Sequence, residues 1–142
     1  MKNNPKWIRQ PKQVQISEDK VVILTERGTD LWARTYYGFQ NDNAPVFQVE
    51  TTDKYFSFIV KTEFESTCRF DQCGVAMYLN SDNWFKASIE YENKKIQRLG
   101  SVVTNHDILT GQQQTYPLIL KVCGIVFHEG TVTTVLNAVR MA

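Results

Sequence analysis

The feature that most constrains this chain is a two-residue alternation of apolar and polar side chains in several short segments. It is clearest over residues 84–92, where the two faces carry Phe85, Ala87, Ile89 and Tyr91 against Trp84, Lys86, Ser88, Glu90 and Glu92. Residues 55–64 alternate in the same way. A period of two is typical of a β-strand with one face in a core, so both segments are predicted strands.

Shorter apolar or alternating runs follow one another along the chain, separated by turn-forming residues. The predicted strands cover residues 14–17, 20–25, 46–50, 75–79 and 96–104, and residues 31–39 are rich in aromatic side chains. The predicted loops or turns cover residues 40–45, 80–83 and 93–95. No helical periodicity stands out before residue 105. Many short strands without intervening helices predict an all-β sandwich or jelly roll.

The alternation also predicts which side chains face the core. These are Phe56, Phe58, Val60, Val75, Met77, Phe85, Ala87 and Ile89. Because a shift of one residue moves every side chain of a strand to the other face, burial of this set tests the predicted register.

Length and charge limit the function classes. The 142 residues suit one domain, and 16 basic against 15 acidic residues give a net charge of +1. That balance offers no clustered basic face for nucleic acid or an anionic membrane. The polar start of the chain predicts no signal peptide, and no apolar run is long enough to span a bilayer. We therefore expect a cytoplasmic protein.

The cysteines and histidines predict neither a disulfide framework nor a metal site. The three cysteines are Cys68, Cys73 and Cys123. A clip between Cys68 and Cys73 is conceivable from their spacing, but buried or half-buried thiols are the more usual state. His106 and His128 show no ligand spacing, and we expect no metal and no cofactor.

Three motifs give the chain a family resemblance. They are TDLWARTYYGF at residues 29–39, FDQCGVAMYLNSDNWFKASIEYE at residues 70–92 and LGSVVTN at residues 99–105. Together they resemble the DUF1349 family, some of whose members are named regulation-of-enolase proteins. The resemblance implies a concanavalin A-like lectin/glucanase jelly roll of two curved antiparallel sheets. Cys73 stands where the family usually has a small residue such as alanine.

The resemblance covers roughly residues 5–105 and stops abruptly there. Reading plausible codons for residues 107–111 from the third base of each gives Tyr-Ser-Asp-Trp, an element the family carries at this point. The displaced frame permits further family elements in order up to the end of the chain. We infer that residues 106–142 are a frameshift product. The predicted division is therefore an incomplete family domain at 1–105 and an unrelated tail at 106–142, with the C-terminal strands missing or replaced and the tail irregular.

One strand face carries the candidate binding residues Trp84, Lys86 and Glu90. On a concave sheet, the indole could stack on a sugar ring while the charged groups bind hydroxyls. A solvated outer face is the alternative. Asp71 and Gln72, at a turn into a strand, could join that site or could cap the turn.

Catalysis is the less favoured reading of these residues. Glycosidases need two carboxylates beside the bond. Glu90 has only Glu92 on its own face, and Lys86 would lower the pKa of a neighbouring carboxyl group, which does not suit a general acid. We therefore expect no catalytic residue and favour a non-catalytic module that binds a carbohydrate or another polyol. The alternatives are a protein-interaction or regulatory module and, third, a glycoside-active enzyme; the sequence leaves the oligomeric state open.

Overall fold

The computed structural model describes residues 5–35, 38–50, 57–106, 108–117, 122–128 and 131–135. Every regular element within these ranges is a β-strand, and every strand pair is antiparallel. The same ranges hold no helix long and apolar enough to cross a membrane. The chain divides into two compact units, Met1–Thr52 and Asp53–Ala142. The predicted boundary near residue 105 stays a prediction.

The first unit consists of three short strand pairs. Its strands are β1 (Lys6–Ile8), β2 (Gln13–Ile16), β3 (Val21–Leu24), β4 (Leu31–Ala33), β5 (Gln40–Asp42) and β6 (Val46–Gln48). Strand β1 pairs with β6, β2 with β3, and β4 with β5. We predicted residues 40–45 to be a loop, and this was wrong for the first three, because Leu31 aligns with Asp42 in a short ladder.

Polar side chains hold the loops of this first unit. Asn43 accepts a hydrogen bond from the backbone N–H of Asp30 at 2.8 Å and donates to the carbonyl of Gly28 at 2.9 Å. Arg9 forms an ion pair with Asp42 at 3.0 Å. The rings of Trp7 and Phe47 lie 4.8 Å apart between β1 and β6. Asn43 thus supplies the bonds that the irregular backbone cannot make within a strand pair.

A four-stranded meander dominates the second unit. Its strands are β8 (Gln72–Asn80), β9 (Asn83–Tyr91), β10 (Ile96–Asn105) and β11 (Ile108–Pro117), in the spatial order β11-β10-β9-β8. Asparagines close two of the turns: Asn80 Oδ1 accepts from the N–H of Asp82 at 3.0 Å, and Asn93 Oδ1 accepts from the N–H of Lys95 at 2.9 Å. These bonds explain why both predicted turns form where they do.

The remaining strands form a second sheet in the same unit. Strand β7 (Ser57–Glu63) pairs with β12 (Val122–His128), which pairs with β13 (Thr131–Val135). Strand β12, in the tail, thus lies along the edge of β7. Strand β11 pairs with β10 without interruption from Asn105–Ile108 to Ile96–Pro117. The predicted irregularity of the tail is therefore wrong for residues 108–117, because each of them has a ladder partner in β10.

The core of the second unit lies between its two sheets. Val75, Ala87 and Ile89 are buried, and Val60, Phe64, Phe85 and Leu99 pack against them. This confirms the all-β sandwich, and Val75, Ala87 and Ile89 lie in the core as predicted. Thr62, on the same face of β7 as Val60, is also buried.

Two of the predicted core residues are exposed instead of packed. Phe58 is 41% exposed and Met77 is 50% exposed, so their burial was wrongly predicted. Met77 lines an open apolar cleft of ≈ 480 Å³ together with Phe85 and Val103, which leaves its side chain uncovered. Phe56 lies outside the described residues.

Candidate functional site

The candidate site lies on the face of the four-stranded sheet that points away from the sandwich core. Ladder partners share a face, so the registers arrange its side chains in rows across the strands. The first three rows are Gln72–Glu90–Arg98–Thr115, Gly74–Ser88–Gly100–Gln113 and Ala76–Lys86–Val102–Gly111. The predicted residues Gln72 and Glu90 are therefore direct neighbours, as we expected.

Trp84 and Lys86 lie at the buried end of this face. Trp84 is 4% exposed, and its indole N–H donates to the Ser81 carbonyl at 3.2 Å. Lys86 is 8% exposed. A buried indole has no open ring face for a sugar, so the stacking role that we expected for Trp84 does not fit the structure. Strand β9 is buried on both faces, which alternation within one strand could not reveal.

Asp71 caps the turn that leads into β8. Its Oδ2 accepts hydrogen bonds from the backbone N–H groups of Thr67 and Cys68, both at 2.8 Å. Of the two readings of Asp71, this geometry corresponds to the turn cap. It shapes the segment that carries Arg69 and Phe70.

Gln72 and Ser88 are joined on the candidate face itself. The Ser88 hydroxyl donates to Gln72 Oε1 at 2.9 Å. Ser88 is buried, whereas Gln72 and Glu90 are half-buried. The amide group of Gln72 is thus held by Ser88, in a residue whose ladder partner is Glu90. Fixed side chains are a precondition for a specific polar site.

A network of charged groups extends from this point. Glu92 Oε1 lies 2.7 Å from an Arg69 guanidinium nitrogen, and Glu92 Oε2 lies 3.2 Å from Arg98 Nε. The Arg98 Nε–H has no hydrogen-bond partner, so this second contact is an ion pair without a directed hydrogen bond. Arg98 also donates to Gln113 Oε1 at 3.2 Å. We call Gln72, Ser88, Glu90, Glu92, Arg98 and Gln113 the Glu90–Arg98 cluster.

Beside this cluster stands an exposed aromatic residue in an unusual backbone conformation. Phe70 has φ of 75° and is 43% exposed. The Arg69 guanidinium lies 4.7 Å from the centre of its ring. A bulky residue in the left-handed region is rare, and such strain concentrates at functional sites. Phe70 therefore offers a solvent-accessible aromatic ring, whereas the ring of Trp84 is buried.

Two positions of the middle row, Gly74 and Gly100, are glycines and so add no side chain to this face. A Cβ on Gly74 would lie 2.0 Å from the Ala87 carbonyl oxygen and 2.6 Å from Ser88 Cα. Both are backbone atoms, which cannot move aside as a flexible side chain could. A Cβ on Gly100 would lie 3.3 Å from Gln113 Cγ, a flexible side chain, and 3.6 Å from the Gln112 carbonyl oxygen, an ordinary van der Waals distance. Gly74 is therefore required by the close approach of β8 and β9.

The chemistry of this cluster suits recognition by hydrogen bonding. The Arg98 guanidinium donates, as does that of neighbouring Arg69; the Glu90 and Glu92 carboxylates accept, and Gln72 and Gln113 do both. Both Glu92 oxygens are engaged by arginines, so that group is oriented as an ion-pair partner. No group of three or more His, Cys, Asp or Glu residues that could hold a metal occurs in the described part of the chain.

The sequence analysis did not identify Arg69, Arg98 or Gln113 as site residues. It also did not identify Glu92 as the carboxylate that bridges two arginines. One pattern could have identified Arg98. The predicted turn at residues 93–95 is centred on Lys94, and a hairpin centred there places position 98 opposite position 90, as observed. Gln113 could not be found in this way, because its strand belongs to the tail that we predicted to be irregular.

Neither described thiol is engaged in a disulfide. Cys68 is exposed and Cys73 is half-buried, and both are free. Burial raises the pKa of the Cys73 thiol, and a hydrogen bond from the Gly74 backbone offsets this in part. Cys73 is therefore the half-buried thiol that we expected, whereas the expectation of burial was wrong for Cys68, which lies in an exposed turn.

The fold and face together define a class: an antiparallel β-sandwich module with a polar cluster on one sheet face. The family model of DUF1349, described as a protein family of unknown function, matches residues 7–112. This chain therefore belongs to the DUF1349 family, which confirms the resemblance. The match ends within β11, beyond the boundary that we predicted near residue 105.

Two known proteins are similar to the chain. Regulation of enolase protein 1 of Saccharomyces cerevisiae is 34% identical over 100 residues, which are 70% of this chain and 49% of that protein. The chain thus spans about half the length of this curated relative. The crystal structure of a functionally unknown protein from Saccharomyces cerevisiae matches with a TM-score of 0.75 and 24% identity, over 92% of this chain and 76% of that one. This second likeness shows the fold.

Proposed function

We propose that this chain is a non-catalytic binding module whose Glu90–Arg98 cluster binds a carbohydrate or another polyol. The observation that carries the proposal is the juxtaposition of Glu90 and Gln72 with Arg98 on one sheet face. Vicinal hydroxyl groups both donate and accept, and this set offers partners for both roles.

The preorganisation of the cluster supports this proposal. Ser88 holds Gln72, and Gln113 and Glu92 hold Arg98. Side chains that are already held in place lose less rotamer freedom when a ligand binds. A polar ligand would therefore meet oriented groups rather than mobile ones.

Phe70 adds the apolar part of such a site. Sugar rings present C–H faces that pack on aromatic rings, and Phe70 is the exposed ring next to Arg69 and its partner Glu92. We assign to Phe70 the stacking role that the sequence suggested for Trp84. The Arg69 guanidinium over the ring would have to move when a sugar occupies that position.

A glycan array probed with the full chain, followed by calorimetric titration of any retained glycan, tests this function. Glu90→Gln keeps the shape and removes the charge, and we expect it to weaken binding roughly tenfold or more, because hydrogen bonds to charged groups contribute about 1.5–3 kcal/mol. Glu18→Gln, on an exposed position of the first unit, is the matched control. Retention of no glycan, or equal binding by Glu90→Gln and the wild type, would refute the proposal.

A second candidate function is a regulatory module that contacts enolase. The observation in its favour is the 34% identity to a protein named for the regulation of enolase. In this case the Glu90–Arg98 cluster would form ion pairs with a protein surface. The rate of purified enolase should then change when the chain is added in excess, and charge-reversed Arg98→Glu should abolish the change. An unchanged rate together with no co-sedimentation of the two proteins would exclude this candidate.

The proposed module works in the cytoplasm, where the free thiols of Cys68 and Cys73 would stay reduced.

A further inference from the structure

The exposed edges of the second unit differ in how well they are protected from pairing with another strand. Among the described strands, β8 and β11 border one sheet, and β7 and β13 border the other. Strand β8 has a register irregularity between Tyr78 and Asn80, β7 carries Lys61 and Glu63, and β13 is five residues long. Bulges, edge charges and short length are the usual protections against edge-to-edge association.

Strand β11 has none of these protections. It is ten residues long, it pairs with β10 in continuous register, and none of its residues is charged. Residues 110–115 are all exposed. At about 3.4 Å per residue the strand presents an edge of roughly 30 Å. Its only proline, Pro117, is its last residue, where it does not interrupt the edge.

The side chains of this edge are also complementary to a second copy of themselves. Three consecutive glutamines, Gln112, Gln113 and Gln114, lie at its centre. In an antiparallel pair related by a twofold axis at Gln113, that residue faces its own copy, Gln112 faces the partner's Gln114, and Gly111 faces the partner's Thr115. Amide side chains stacked in this way hydrogen-bond with one another.

We propose that β11 is a self-association edge through which two copies of this chain form a twofold-symmetric dimer with an eight-stranded sheet. The occupant is a second copy because the edge is uncharged, uninterrupted and self-complementary, and an isologous contact closes after two subunits. This proposal does not rest on the binding function above. Gln112 and Gln114 lie on the opposite sheet face from Glu90 and Arg98, in register with Ser101 and Leu99.

Complementary charge variants test the pairing. Q112K/Q114K and Q112E/Q114E each place like charges opposite one another across the twofold axis, which destabilises a strand pair. Sedimentation equilibrium should show a concentration-dependent dimer for the wild type and a dissociation constant raised roughly tenfold or more for each variant. An equimolar mixture of the two variants should restore the dimer, because every opposed pair then carries opposite charges.

Two controls make the result specific. Q13K/Q15K adds the same charge with the same spacing on the exposed positions of β2, and it should dimerise like the wild type. Q112K/Q114E tests the register: the introduced lysine faces the partner's introduced glutamate only if the axis passes through Gln113, so this variant should dimerise at least as well as the wild type. Circular dichroism of each variant verifies that it is folded.

Several outcomes would overturn the proposal. They are a monomeric wild type at all concentrations, dimers of both like-charge variants at wild-type strength, and a mixture of those variants that stays monomeric. Open-ended oligomers of the wild type would also contradict it, because a twofold contact closes at two copies. Loss of the dimer without loss of glycan binding would separate this edge from the Glu90–Arg98 cluster.

Discussion

Glu92 and Arg98 lie across the turn between β9 and β10, with 3.2 Å between Glu92 Oε2 and Arg98 Nε. They are not ladder partners, since the ladder places Arg98 opposite Glu90. The diagonal contact leaves the other Glu92 oxygen for Arg69, at the entry to β8. One carboxylate therefore ties together β10 and the turn before β8, at the point where Phe70 projects.

Removing that carboxylate should destabilise the fold. The Glu92 side chain is 12% exposed, and its substitution would leave Arg69 and Arg98 without a shared counter-charge. We expect Glu92→Ala to lower the free energy of unfolding by about 1–2 kcal/mol, since both arginines retain solvent contact. Urea denaturation measures this loss. Glu18→Ala, at an exposed position, should change stability little, and an equal effect of both variants would contradict the bridging role.

Substitution by alanine should lower the stability of the fold more at Gly74 than at Gly100, the two glycines of the middle row. At Gly74 the added methyl group collides with backbone atoms of β9, so we expect Gly74→Ala to cost about 3 kcal/mol or more. At Gly100 the tight contact of the methyl group is with the flexible Gln113 side chain, and the cost should stay under about 1.5 kcal/mol. Thermal unfolding of the two variants compares them. A Gly74→Ala protein as stable as Gly100→Ala would show that the strands do not approach as closely as described.

At position 70, glycine should destabilise the fold less than alanine, which is the reverse of the usual order. At φ of 75° glycine is unstrained, whereas alanine carries a penalty of roughly 1–2 kcal/mol. Phe70→Gly should therefore be more stable than Phe70→Ala, as measured by the midpoint of thermal unfolding. At Phe58, in strand β7, the alanine variant should be the more stable one, because glycine within a strand destabilises the fold relative to alanine. If alanine were the better residue at both positions, the left-handed conformation of Phe70 would be disproved.

The two described thiols should differ in reactivity. In a Cys123→Ser background at pH 8, an aromatic disulfide reagent should label exposed Cys68 quickly and Cys73 slowly, with the rates converging in denaturant. Because the pKa of Cys73 is raised on folding, the unfolded state loses its proton first as the pH rises. Stability attributable to this group should thus be constant below the ordinary thiol pKa and decline above about pH 9. Rapid native labelling of Cys73 would contradict its burial.

The proposed frameshift predicts that the present chain is less stable than a frame-corrected chain. The DNA around codon 105 should carry an inserted or deleted base relative to genes of the family. A frame-corrected chain should unfold at a higher temperature than the present one, because its closing strands would be matched to the core that they cover. Equal midpoints, with both proteins monomeric and cooperative, would show that the present tail is a genuine structural element.

Alternating or apolar runs predicted β7, β8 and β9 because each of these strands contributes side chains to the core of the second unit. They placed Val75, Ala87 and Ile89 correctly for this reason. They could not show that Trp84 and Lys86 are buried as well, since the cover on the second face of a strand comes from elsewhere in the fold. Strand β5 was missed because its residues, Gln40–Asp42, are typical turn formers that only pairing with β4 makes extended.

The pairing of β7 with β12 affects the order in which the second unit can form during synthesis. Strands β8 to β11 are joined by short turns, so each can pair with its neighbour as soon as both have left the ribosome. Strand β7 must wait for β12, which follows it by about sixty to seventy residues, and the closure of so long a loop is entropically unfavourable. For that interval Val60 and Phe64 lack one of their neighbouring strands. Chaperones that shield β-prone segments should therefore bind the nascent chain at β7 and release it when residues 122–128 emerge.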